Sequence, residues 1–147
     1  ARTASDSATA DQTAGNEAGA KKWRAMRDQY FDSSIVYFKQ VIDINPEDEL
    51  ALEQYSTISA LRGKYPEALE GFKKLVVLKP QEADYWRYLG DLNVNQKDFK
   101  AAITAYEKVV ELKPDDSQVW QQLADLYSEE GMTAKAKAAQ KKFDSLK

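Results

Sequence analysis

The chain contains no cysteine and no histidine. Without cysteine there is no disulfide and no thiolate metal site. Without histidine the usual general base and the commonest transition-metal ligand are gone, and with them any Ser-His-Asp or Cys-His catalytic unit. The six glycines are scattered rather than clustered, so no phosphate-cradling loop is present. No stretch of eighteen apolar residues occurs, so no segment has the character of a membrane-spanning helix. A basic surplus is also lacking. The formal net charge is −3, which excludes a general nucleic-acid binder that neutralises phosphates with a basic face. The acidic clusters "INPEDEL" and "KPDDS" lack the alternating Asp-x-Asp-x-Asp-Gly pattern of a calcium loop and read better as helix caps. No cofactor is expected, and the chain is expected not to be an enzyme.

What is present is enough apolar matter for a core. Of 147 residues 43% are hydrophobic and 31% charged, the balance of a globular chain. Residues 1–19 (ARTASDSATADQTAGNEAG) differ, because alanine is their only apolar side chain. Such a stretch buries too little to offset the entropy of ordering it. It is therefore expected to be a disordered linker or tether, leaving 20–147 as the folded unit. The chain opens on Ala rather than Met, so a processed or excised segment is expected, with any targeting signal outside it. The lead leans towards the soluble domain of a membrane-tethered or exported protein, and a cytoplasmic origin stays open.

The strongest signal is periodic. "LVVLKPQEADYWRYLGDL" recurs 34 residues later as "KVVELKPDDSQVWQQLADL", and Pro46, Pro80 and Pro114 are 34 residues apart twice over. A fixed period in this range marks a solenoid or array. The blocks are 15–48, 49–82, 83–116 and 117–147. Each reads as two amphipathic helices. In the third, Trp86, Leu89, Gly90 and Asn93 share one face. A polar break follows at 95–98, and then Phe99, Ala102, Ile103, Tyr106, Val109 and Val110 share another. Breaks fall at Gly63 and Gly131 in the neighbouring blocks, and Pro66 suits a first helical turn. Small residues recur where paired helices must cross closely. Ser56, Gly90 and Ala124 do so in the first helices, and Ser34, Ala68, Ala102 and Ala136 in the second.

The pattern Trp86, Leu89, Gly90, Ala102, Tyr106, Val109, Pro114 resembles the tetratricopeptide repeat, over roughly residues 17–147. The resemblance implies an all-α fold, a right-handed superhelical solenoid of antiparallel helix pairs with about three and a half to four repeats. Stacking explains the repetition, since one hairpin cannot bury its own apolar face. The first block departs from the pattern. Lys21 and Lys22 stand where the family has Leu and Gly, and no Gly or Pro interrupts 20–44. An irregular hairpin is the preferred expectation there. The other is one long helix with Trp23, Met26, Tyr30, Tyr37 and Val41 along one stripe.

The resemblance further implies a concave groove that binds extended or helical peptide segments of partner proteins. Its lining positions are the second, fifth, ninth, twelfth and thirteenth of each unit. The candidate partner-binding residues are accordingly Glu53, Thr57 and Leu61; Asp84, Arg87, Asp91, Val94 and Asn95; and Gln121, Asp125, Ser128 and Glu129. Acids dominate, with Arg87 the single base among them. Chaperone-binding members clamp a terminal carboxylate with Lys, Asn and Arg. Glu53 and Thr57 occupy the matching positions here, so no carboxylate clamp is expected. An acidic groove favours a basic or polar peptide. The plainer alternative is that these acids merely solvate an exposed face.

The last helix has the opposite sign. Lys135, Lys137, Lys141, Lys142 and Lys147 outnumber Asp144. A polar capping helix explains this. Self-association, the lysine-rich helix of one copy meeting the acidic groove of another, is the alternative function, so a homo-oligomer is possible. Membrane insertion is not expected, because Phe143 and Leu146 are nearly the only large apolar groups on that helix. The leading expectation is a protein-interaction scaffold or assembly factor.

Overall fold

The computed structural model describes residues 4–147, with side chains from residue 16 onward. Among the described residues there are seven helices and no strand. They are α1 (Ala4–Ile44), α2 (Glu49–Leu61), α3 (Tyr65–Leu78), α4 (Ala83–Asn95), α5 (Phe99–Leu112), α6 (Ser117–Glu129) and α7 (Thr133–Ser145). Three hairpins, α2/α3, α4/α5 and α6/α7, stack in chain order, and the second helix of each packs on the first helix of the next. The architecture is the all-α repeat solenoid that the 34-residue period implies.

Each boundary has a local cause. Asp48, Asp98 and Asp116 cap α2, α5 and α6, accepting from the amides of Ala51, Ala101 and Val119 at 2.9, 3.1 and 3.1 Å. Pro66 lies in the first turn of α3, where its missing N–H costs nothing. The three hairpin turns repeat one geometry. Gly63, Lys97 and Gly131 all have positive φ, at 71°, 60° and 71°. In each turn the next residue's amide returns to a carbonyl of the preceding helix, at Ser59, Asn93 and Tyr127. The Lys-Pro stretches close on themselves too. Trp86 Nε1 donates to the Pro80 carbonyl and Trp120 Nε1 to the Pro114 carbonyl, both at 2.9 Å. Here each indole saturates a carbonyl that the proline has taken out of the helix.

The core runs between the layers. Leu52, Ala68, Phe72, Leu75, Tyr85 and Leu89 fill one part, and Ala102, Tyr106, Val109, Val119 and Leu123 another, with Trp86 packed against both. The small crossing residues sit where close approach requires them. Ser56, Ala68 and Ala102 are fully buried. A methyl on Gly90 would land inside the Tyr106 ring, and one on Gly71 would meet Ser56.

The beginning of the chain differs from expectation in two ways. The irregular hairpin expected near 20–44 is absent, because α1 is one uninterrupted helix. No breaker residue occurs there, and Lys21 and Lys22 cannot fill the buried positions of a folded-back helix. Helix also extends back to Ala4, where a disordered lead over 1–19 was expected. Alanine at 4, 8, 10, 14, 18 and 20 supplies the best helix former at little side-chain entropy cost. Residues 1–3 lie outside the described residues. Among the described residues α1 docks through its C-terminal part, where Ile35 is buried and Ile42 packs against the core. Arg62 fixes its angle with a fork on Asp32 (3.0 and 3.1 Å) and a third contact to Asp28 at 3.2 Å.

Candidate functional site

The first helices α2, α4 and α6 carry all twelve candidate residues. Three hollows run along this side, and they join. The first, about 310 Å³, is lined by Thr57, Ala60, Leu61, Tyr65, Phe72, Tyr88, Asp91, Leu92 and Asn95. The second, about 520 Å³, shares Asp91 and Asn95 with it and adds Val94, Tyr106, Gln122, Asp125 and Leu126. The third, about 350 Å³, shares Asp125 and adds Ala124, Ser128, Thr133, Ala136, Lys137 and Gln140. Because neighbouring hollows share side chains, they form one trough across three repeats.

Seven of the candidates line this trough: Thr57, Leu61, Asp91, Val94, Asn95, Asp125 and Ser128. Glu53, Asp84, Arg87, Gln121 and Glu129 do not line any of the three hollows. Three of these five are engaged inside the scaffold. Tyr85 Oη donates to Glu53 and Glu49, both at 3.2 Å, tying α4 to α2. Arg87 reaches across to Asp116 and Gln118. Asp84 accepts from Lys113 at 2.9 Å. At Glu53 and Arg87 the fifth position of the unit therefore holds repeats together, and in the third and fourth blocks the sixth position faces the trough. Tyr88 and Gln122, 34 residues apart, both line it. The sequence pattern missed Tyr88 because Asp116, 29 residues beyond Arg87, takes Arg87 and leaves its neighbour to turn inward.

The trough changes character along its length. Its first hollow is aromatic, with Phe72 and Tyr88 stacked at 4.9 Å between centroids. Its middle gathers acceptors. Asp91 Oδ1 accepts from the Tyr106 hydroxyl at 2.5 Å. Its second oxygen makes no hydrogen bond among the described residues. Asp125 is exposed, and Gln122 Oε1 is buried with no hydrogen-bond partner among the described residues. Such an atom forgoes water without replacement, so a donor arriving there gains more than a surface contact would. The far end is mixed, with Lys137 beside Asp125.

Burial, together with the Asp91 carboxylate, pushes the Tyr106 hydroxyl well above its ordinary value. The same holds for Tyr85 with Glu53 and Glu49, and for Tyr127 with Glu107. Burial works against a charge on Glu107, but the Tyr127 hydroxyl (2.6 Å) and the Lys135 ammonium (3.0 Å) outweigh it and hold that carboxyl below its usual range. Lys135 is thus occupied within the scaffold, as is Lys147 with Asp144 at 3.1 Å. Among the described residues no cluster of metal-ligating side chains occurs, and no helix is long and apolar enough to cross a membrane.

Helical hairpins stacked in this way define a protein-interaction scaffold. The chain belongs to the tetratricopeptide repeat family: two models of that repeat match it, over residues 61–117 and 105–138. Two crystal structures of the protein MamA share the fold at 28% identity. One has a TM-score of 0.72 over 86% of this chain and 68% of its own, the other 0.71 over 80% and 68%. A third, MamA from Desulfovibrio magneticus RS-1, shares the fold at 19% identity and a TM-score of 0.68, over 80% of this chain and 67% of its own. No curated protein sequence matches the chain.

Proposed function

We propose that the trough binds a segment of a partner protein that brings a basic or amide donor to its centre and an apolar side chain to its aromatic end. The observation that carries this reading is the convergence of Asp91, Asp125 and the unpartnered Gln122 Oε1 on one hollow. Acceptors outnumber donors there, so the complementary ligand is a donor. A lysine or arginine suits it doubly, since its aliphatic stem can lie along Val94 while its head meets the carboxylates. Binding of this kind uses a preformed surface and no covalent chemistry. Two features disfavour a carboxylate-terminated ligand. The trough's centre is acidic, and Arg87 is held by Asp116.

A selection from a random peptide library tests the proposal. Enriched sequences carry Lys or Arg two to four residues from an aromatic or aliphatic residue, and Asp125→Lys abolishes their capture. Enrichment of acidic peptides would contradict it.

The second reading, a copy's lysine-rich α7 entering another copy's trough, is weaker. Lys135 and Lys147 already have carboxylate partners in their own chain.

A further inference from the structure

Helix α1 has two apolar faces and uses one. Ile35 and Ile42 turn towards the solenoid. On another side, Trp23, Met26, Tyr30, Tyr37 and Ile44 stand in water, at 71, 51, 70, 61 and 87% exposure. Their spacings are three, four, seven and seven, which keep one stripe in register with a seven-residue repeat. The stripe is about 32 Å long at the rise of an α-helix. Isolated exposed apolar residues are ordinary, but five in register along one helix face, three of them aromatic, mark an interaction surface.

The flanks of the stripe indicate its occupant. On one side lie Lys22 at the start, Gln29 and Val36 in the middle, and Asp43 at the end. Neither Lys22 nor Asp43 forms an ion pair among the described residues. Set a second α1 alongside in the opposite direction. Lys22 of each copy then faces Asp43 of the other, twice per pair, while Gln29 faces Val36. The same shift places Met26 against the other copy's Tyr37, and Tyr30 against its Ser33, a small residue that leaves room for a ring. A parallel partner would instead set Lys22 beside the other copy's Arg27, which is repulsive, and would leave Asp43 without Lys22. Six aromatic side chains at the seam, each able to bury up to about 150 to 250 Å², reach the roughly 1,200 Å² of a stable interface.

We propose that two copies of this chain pair through α1, antiparallel along the Trp23–Ile44 stripe, leaving both troughs open to their partners. The pairing is independent of what the trough binds. It joins two scaffolds back to back and makes ligand capture bivalent.

Sedimentation velocity on the full chain, from about 1 to about 100 µM, tests it. A dimer is expected, and Tyr30→Glu gives a monomer with an unchanged helical circular-dichroism spectrum, because Tyr30 is largely exposed and its ring meets only the adjacent Phe31 among the aromatic pairs of the described residues. Lys22→Glu and Asp43→Lys each weaken the dimer about tenfold. The two together restore it. Asp125→Lys leaves it intact, separating this interface from any pairing through the trough. A wild-type monomer across the range, or a dimer indifferent to Tyr30→Glu, overturns the proposal, and failure of the double reversal to rescue overturns the antiparallel arrangement.

Discussion

The Tyr106 hydroxyl, on α5, donates to Asp91 Oδ1, on α4, at 2.5 Å. One oxygen of Asp91 is thereby fixed to the scaffold and the other is left for the trough. Tyr106→Phe removes the donor and keeps the ring. We expect a loss of about 1–3 kcal/mol in urea unfolding, since a buried hydrogen bond to a charged group is broken. Binding of a basic peptide should weaken as well, because Asp91 is no longer held in place. A variant as stable as the parent would show that the tie contributes nothing.

Acid should loosen the scaffold through Glu107. Its folded pKa lies below the ordinary 4.5. A depressed carboxyl contributes stability that is complete above its unfolded pKa and lost as pH falls through the folded value. Melting temperature should therefore fall as pH drops below about 4.5, and Glu107→Gln should flatten that limb.

Alkali acts on the opposite side. Tyr85, Tyr106 and Tyr127 are raised above the ordinary 10.0. Their neutral hydroxyls contribute fully below pH 10, and that contribution is lost as pH rises beyond it. Of the eight tyrosines, at least these three should stay silent in a phenolate absorbance titration through pH 10, and ionise only as the chain unfolds. Ionisation of Tyr85, Tyr106 and Tyr127 around pH 10 with the fold intact would contradict the ties.

Lys97 occupies, at φ 60°, the turn position that Gly63 and Gly131 hold in the other hairpins. A side chain there carries strain that glycine avoids. Lys97→Gly should stabilise the protein by about 0.5–1 kcal/mol, measured by thermal or urea unfolding. Gly90→Ala should do the reverse, at about 1–3 kcal/mol, because the added methyl meets the Tyr106 ring.

The repeat was legible because its signals are local and recur. Pro46, Pro80 and Pro114, the breaks at Gly63 and Gly131, and the small residues at helix crossings each act within a few residues of themselves. Lys97 was not legible as a turn residue, since nothing about lysine announces a positive φ. Helix α1 was misjudged for a related reason. The repeat register suggested a folded-back pair, whereas the unbroken run from 20 to 44 and the misplaced Lys21 and Lys22 favour a single rod. The trough was half legible. Asp91, Asn95 and Asp125 follow from position within the repeat. Glu53, Arg87 and Asp84 were diverted by partners about thirty residues away. Such ties depend on side chains in adjacent repeats, which a single repeat's pattern does not contain.

The most direct measurement of the central claim is an amide chemical-shift titration with a lysine-containing peptide taken from the selection. Shifts should concentrate at Leu61, Tyr88, Asn95, Gln122 and Asp125, and Asp125→Lys should remove them. Shifts confined to the outer faces of α3, α5 and α7, with the trough unmoved, would contradict it.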